Sequence, residues 1–259
     1  MDLGISEKAA LICGSSRGLG KACALSLAEA GCSVTINGRN EEALQVAASE
    51  IEEKTGRKVN YICADLNDER QLKEFVVAAG TPDILVTNNS GPAPGRFVDW
   101  GPEDWMDAMN KNMIIALTII KHVLPHMREQ KFGRIVNITS AMVKSPRPRM
   151  GLSTAARAGL TAACKALSIE CAIDNVTINN MLPERFDTDR TTFMADIISK
   201  DKSVSIEEAK KQIASTIAAK RLGQPNEFGD TCAFICSQQA GYMSGQNIQL
   251  DGGSYAGLV

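Results

Sequence analysis

Imidazole is nearly missing from this 259-residue chain, which has two histidines, three tyrosines and two tryptophans. So thin a supply leaves little from which to build a histidine-centred metal site or a histidine acid–base pair. His122 and His126 share one helix face without an acidic or third ligand, which fits helix packing or a subunit interface, and no metal is expected. A dominant charge is missing too. The formal net charge is −2, so neither nucleic acid nor an anionic membrane is an expected partner. No apolar run reaches the roughly 20 residues of a membrane span. The opening MDLGISEKAALIC has no signal-peptide layout, and cytoplasmic residence is expected. Cysteine, by contrast, is plentiful at eight residues, but Cys232 and Cys236, one helical turn apart, have no second ligand pair. Buried free thiols are expected.

What the chain does have is rhythm. Hydrophobic residues make up 44% and charged residues 22%, the balance of an ordinary globular protein. Short apolar runs at 9–13, 33–37, 59–63, 83–87, 134–138, 176–181 and 247–250 read as strands. Helical stretches at about 18–30, 41–54, 69–79, 103–129, 152–172 and 226–237 separate them. Unbroken apolar strands alternating with helices predict an α/β fold, a Rossmann-type doubly wound parallel sheet of about seven strands, in one domain spanning 1–259. The stretch 189–221 breaks the alternation. Two helical pieces joined by the polar SKDKSVS suit a lid over a site.

The first strand runs into CGSSRGLG, which places Gly14, Gly18 and Gly20 at a strand-to-helix turn. Glycine permits a tight turn and close backbone approach there, and the helix N-terminus offers unpaired N–H groups to a pyrophosphate. A dinucleotide site is expected. The second strand ends in Asn37-Gly38-Arg39-Asn40, without the carboxylate that would accept bonds from the adenosine ribose. Arg39 and Arg17 can instead clamp a 2′-phosphate, which favours NADP(H) over NAD(H). Asp65, after the third strand, is placed to reach the adenine edge.

These pieces, together with TNNSG after the fourth strand, Asn112, Ser140, Pro183 and the closing SGQNIQLDGG, resemble the short-chain dehydrogenases/reductases, in particular 3-oxoacyl-(acyl carrier protein) reductases, over essentially the whole chain. The resemblance implies cofactor contacts at Gly14, Ser16, Arg17, Gly18, Leu19, Gly20, Arg39, Asp65, Leu66, Asn88, Pro183 and Thr188. It implies a small-molecule substrate, free or carrier-bound, and a homotetramer. In that family a tyrosine moves the substrate's proton, a lysine four residues on lowers its pKa and holds the nicotinamide ribose, a serine orients the carbonyl, and an asparagine anchors a relay water. Asn112 and Ser140 match the asparagine and the serine. The tyrosine and lysine positions, counted from Ser140, fall on Ser153 and Arg157.

That pair changes the chemistry. A serine hydroxyl is a far weaker acid than a phenol, and a guanidinium stays protonated. Ser153 is then better read as a pocket-widening or hydrogen-bonding residue, and Arg157 as a holder of ribose oxygens. Glu184 follows Pro183 where the family has glycine. It is either a replacement acid near the reacting ring or a solvated side chain. Lys144, Arg147 and Arg149 line the loop after Ser140, and either favour an anionic or acidic-carrier substrate or are solvated charges. Two functions stay open: an NADP(H)-dependent oxidoreductase with rebuilt proton delivery, or a divergent dinucleotide-binding protein, isomerase or lyase on the same scaffold.

Overall fold

The computed structural model describes residues 1–258. The apolar runs become seven strands: β1 (Ala9–Ile12), β2 (Ser33–Gly38), β3 (Asn60–Cys63), β4 (Ile84–Thr87), β5 (Gly133–Ile138), β6 (Val176–Pro183) and β7 (Asn247–Leu250). They form one sheet in the order β3-β2-β1-β4-β5-β6-β7, and every pairing is parallel. Parallel neighbours need crossovers. Helices α1 (Gly18–Glu29), α2 (Glu41–Thr55), α3 (Glu69–Ala78), α4 (Pro102–Met109), α5 (Ile115–Glu129), α6 (Gly151–Cys171), α7 (Asp189–Lys202), α8 (Ile206–Ser215) and α9 (Pro225–Cys236) supply them. One sheet face packs against α1, α2 and α9 through residues such as Leu27, Leu44 and Phe228. The other packs against α3, α5 and α6 through Phe75, Ile119, Val123 and Leu160. Covering both faces is what makes the strands read as continuous apolar runs.

Two local features set the site's frame. Gly229 on α9 lies so close to α1 that a Cβ there would stand 2.4 Å from the Ala22 carbonyl oxygen, so the absent side chain brings the two helices together. Across the sheet, Thr87 donates to Asn137 Oδ1 at 2.7 Å, Asn137 Nδ2 to Asn180 Oδ1 at 3.0 Å, and Asn180 Nδ2 to Asn247 Oδ1 at 2.9 Å. These residues are register partners on β4, β5, β6 and β7. The ladder gives buried amides the partners they require and pins the strand ends that carry the site.

The expected helix over 103–129 is interrupted. Between α4 and α5 lies a π turn, Asn110–Ile114, which carries Asn112. A wide turn upsets the i→i+4 ladder and leaves carbonyls in need of other donors. Asn89 Nδ2 takes that of Lys111 at 3.0 Å. Of the eight free cysteines only Cys63 is exposed, and burial pushes the Cys13 thiol up to about 12.

The 189–221 segment folds as α7 and α8, joined through Ser203 at φ 52°. It has its own apolar cluster of Ala195, Ala209, Ile213, Ile217 and Leu222. At its return, Arg221 clasps Glu227 through two 2.7 Å bonds and the Gln224 N–H adds a third. Arg221 foremost, with that N–H, holds the Glu227 carboxyl down to about 2. A carboxyl whose folded-state pKa is depressed stabilises the fold above its ordinary value of 4.5, and that contribution fades as pH falls toward about 2. The pair is partly exposed, so its worth is about 0.5–1 kcal/mol after screening. Glu227→Gln is expected to lower Tm by about 2 °C at pH 7, with the gap closing by about pH 2–3; a gap that persists there in calorimetry refutes the assignment.

Candidate active site

The strand order reverses between β1 and β4, and ligands of open α/β sheets bind at the carboxyl ends on either side of such a point. Gly14 sits there at φ +55° and Gly18 at φ +59°. Asn88 Nδ2 donates to the Gly14 carbonyl at 2.9 Å, so the end of β4 braces the glycine turn. Gly20 is required outright: a Cβ there would lie 2.4 Å from the Gly14 oxygen. Helix α1 begins after Arg17 with neither a side-chain cap nor an acid in its first turn. Its positive end is therefore open to an anion.

Around this turn stand the other expected contacts. Ser16 is 3.2 Å from where a Gly38 Cβ would be. Arg39 reaches Asp65 at 3.9 Å and keeps a largely exposed guanidinium. The Asp65 carboxylate also accepts the Asn67 N–H at 3.0 Å, and Leu66 is buried beneath it. Leu19 packs partly buried on the adjoining core. Thr188, before α7, comes within 3.9 Å of a methyl placed on Gly18, and Asp189 pairs with Arg17 at 3.4 Å. The 189–221 segment thus starts against the glycine turn. Pro183 ends β6 opposite Leu250.

Reasoning from sequence passed over Asn37 as a ligand. Its amide bonds the Ile62 and Ala64 carbonyls and accepts the Gly14 N–H, knitting β2, β3 and the glycine turn together. Nothing but the strand order marks it out.

The altered pair lies on the first turns of α6. Arg157 Nη1 donates to the Ile138 and Thr139 carbonyls at 2.8 and 3.1 Å, Nη2 to that of Asn89 at 3.4 Å, and Nε to Ser153 Oγ at 3.3 Å. The guanidinium ties the ends of β4 and β5 together, and no carboxylate is among its partners. Burial, with Arg190 nearby, pushes it down to about 10. A methyl on Gly91 would lie 3.5 Å from Arg157 Nη2, 3.6 Å from Ser153 Oγ and 4.0 Å from Asn112 Oδ1, so these three groups meet at one point. Asn112 Nδ2 donates to the Ser90 carbonyl at 3.3 Å, but its buried Oδ1 has no partner among the described residues. Ser140 Oγ accepts the Met142 N–H at 3.2 Å.

Glu184 is not a solvated side chain: it is 7% exposed, with Oε1 held by Arg147 Nη2 at 2.7 Å. Of the three loop cations, Arg147 thus pairs with Glu184, Lys144 stands 5.4 Å above the Tyr255 ring, and Arg149 bends the chain at φ 67°. Among the described residues no three His, Cys, Asp or Glu side chains gather as a metal site, and no helix is long and apolar enough to cross a membrane.

The sequence and the fold resemble those of known proteins. A family model described as enoyl-(acyl carrier protein) reductase matches residues 14–255. The NADPH-dependent reductase BacG of Bacillus subtilis is 32% identical over 255 residues, covering 96% of this chain and 98% of its own. The 3-oxoacyl-[acyl-carrier-protein] reductase FabG of Chlamydia muridarum is 32% identical over 251 residues, covering 95% and 97%. Among solved structures, L-sorbose reductase from Gluconobacter frateurii, complexed with NADPH and L-sorbose, superposes with a TM-score of 0.95 at 27% identity over the whole of both chains. With a matching fold and similarity along nearly its full length, this chain belongs to the short-chain dehydrogenase/reductase family.

Proposed function

We propose that the protein is an NADP(H)-dependent carbonyl oxidoreductase in which the proton no longer comes from a phenol. One observation carries the reading. The turn between β1 and α1 folds so tightly over Gly20 that a Cβ there would strike the Gly14 carbonyl, before a helix end bare of both cap and acid. Gly14, Ser16, Gly18, Leu19 and Gly20 would hold the pyrophosphate side, and Arg17 and Arg39 a 2′-phosphate. Asp65, Leu66 and Asn88 would flank the adenosine half, Pro183 and Thr188 the nicotinamide half. When bound, NADPH supplies a hydride. The relatives BacG and L-sorbose reductase, named for NADPH or solved with it, support this choice.

At the reacting end, the Ser140 hydroxyl keeps its own proton to donate to a carbonyl oxygen. Arg157 contributes a fixed positive charge beside it, and such preorganised charge favours a developing alkoxide. Asn112 Oδ1, an unpaired buried acceptor, orients the water that brings the proton in place of a tyrosine. The substrate is a small carbonyl compound, free or carrier-bound. The same reading makes the protein a homotetramer through α5 and α6, with Ile169 exposed on α6, Ile114 exposed just before α5 and Ile173 just after α6.

The decisive experiment is NADPH oxidation under single-turnover conditions with oxoacyl thioesters, diketones and sugars, preceded by titration with NADPH and NADH. NADPH is expected to bind more tightly, and Arg39→Gln to weaken it about 10- to 100-fold while leaving NADH unchanged. Tighter NADH binding would overturn the role of Arg39. Tight NADPH binding with no turnover across the panel would favour a non-redox protein on this scaffold.

A further inference from the structure

Arg185 follows Pro183 by two residues, and its half-buried guanidinium has only one long ion pair. Its side chain makes no hydrogen bond among the described residues, and its Nε is buried without a partner. The nearest carboxylate oxygen, Glu184 Oε1, lies 3.5 Å away and is already held by Arg147 at 2.7 Å. Buried donors in this condition are rare and costly, and each calls for an explanation.

The surroundings point to one. Arg185 lines a cavity of about 330 Å³ between the return of the lid, at Ile217, Ala219 and Arg221, and the end of β7 at Asp251 and Gly252. That volume falls within the range of small-molecule pockets, about 300–1,000 Å³. The other charges on its wall are spoken for. Arg221 is bound twice by Glu227, and the Asp251 carboxylate accepts the Gly253 and Tyr255 N–H groups at 2.9 and 2.8 Å. Gly252, at φ +61°, leaves the floor bare, since a Cβ there would lie 2.8 Å from Ile217 Cγ2. Arg147 and Arg185 share the single Glu184 carboxylate, so one of the two guanidiniums has no counter-ion of its own.

We propose that this cavity binds a small oxyanion, a carboxylate or a phosphate group, seated on Arg185. A planar guanidinium pairs with two oxygens of such a group through short, charge-assisted bonds. The anion supplies the missing counter-charge and ties the lid's return to β7. The site stands on its own charges and does not depend on the hydride reading.

The test is calorimetric titration of the full chain, in a low-salt buffer of zwitterions, with malonate, inorganic phosphate and the uncharged malonamide. With NADPH present to fill the glycine turn, one anion or both should bind at one further site per chain, and malonamide should not. Malonate the tighter assigns a carboxylate; phosphate the tighter assigns a phosphoryl group. Arg185→Gln should weaken the anion at least about tenfold, the loss of a charged hydrogen bond. Hydrogen exchange on the unmutated chain gives a second readout that needs no variant: the anion should slow exchange over residues 217–223. No anion binding up to about 50 mM, unaltered binding by a folded Arg185→Gln chain, or unchanged exchange over 217–223 with anion bound overturns the proposal.

Discussion

Arg157→Met is expected to cost about 3–5 kcal/mol of stability, a fall in Tm of roughly 10 °C for a domain of this size. A thioether fills much of the same volume but donates nothing. The carbonyls of Ile138, Thr139 and Asn89 would lose their shared donor, and Ser153 Oγ would lose its partner. Each buried carbonyl left without a donor costs about 1–3 kcal/mol, less whatever water recovers. Arg157→Lys should fall between, at about 1–2 kcal/mol, because a compact ammonium keeps the charge but not the planar fork. Scanning calorimetry of both variants decides the matter. A methionine variant melting within about 2 °C of the parent would mean that the guanidinium is not the strut described above.

Gly20→Ala is expected to abolish cofactor binding. The added methyl would meet the Gly14 oxygen at 2.4 Å, and the Gly14 carbonyl carbon and Ser15 Cα at 3.0 Å. All three are backbone atoms of the turn itself, so relief means moving the cradle. NADPH affinity should fall at least about 100-fold, with a stability loss of about 2–4 kcal/mol. Gly56→Ala is the matched control. Gly56 is left-handed at φ +67°, and nothing lies within 4 Å of the new methyl. It should lose about 1–2 kcal/mol by backbone strain alone and bind NADPH normally. Fluorescence titration separates the two, and a Gly20→Ala chain that binds within about threefold of the parent would show that the turn is not where the cofactor lies.

The sheet was legible because its central strands are buried on both faces, and AALI and ILVT stand out against polar flanks. The glycine turn was legible because backbone geometry restricts the residue type. Asn112 and Ser140 came from motif order, but their bonding did not. The π turn carries no proline or glycine at 110–114, so no punctuation announces it. Glu184 defeated local reasoning because burial came from Arg147, 37 positions away in the sequence. The ladder of Thr87, Asn137, Asn180 and Asn247 links residues 50, 43 and 67 apart, separations that match no helical or strand period. Arg157 was read as a ribose ligand since its position implied one; its bonds to strand-end carbonyls became visible only with β4 and β5 side by side.

The wide turn at Asn110–Ile114 also puts α4 and α5 out of phase. It holds one residue more than an α-helical turn would. Deleting a single residue there would close the turn to an ordinary α-helical one and leave the stripe of Ile115, Ile119 and Val123 near its present phase. Asn112, inside the turn, would lose its place. The segment therefore resists single-residue changes in length, and a comparison of relatives that opens a gap inside it will assign the asparagine to the wrong position.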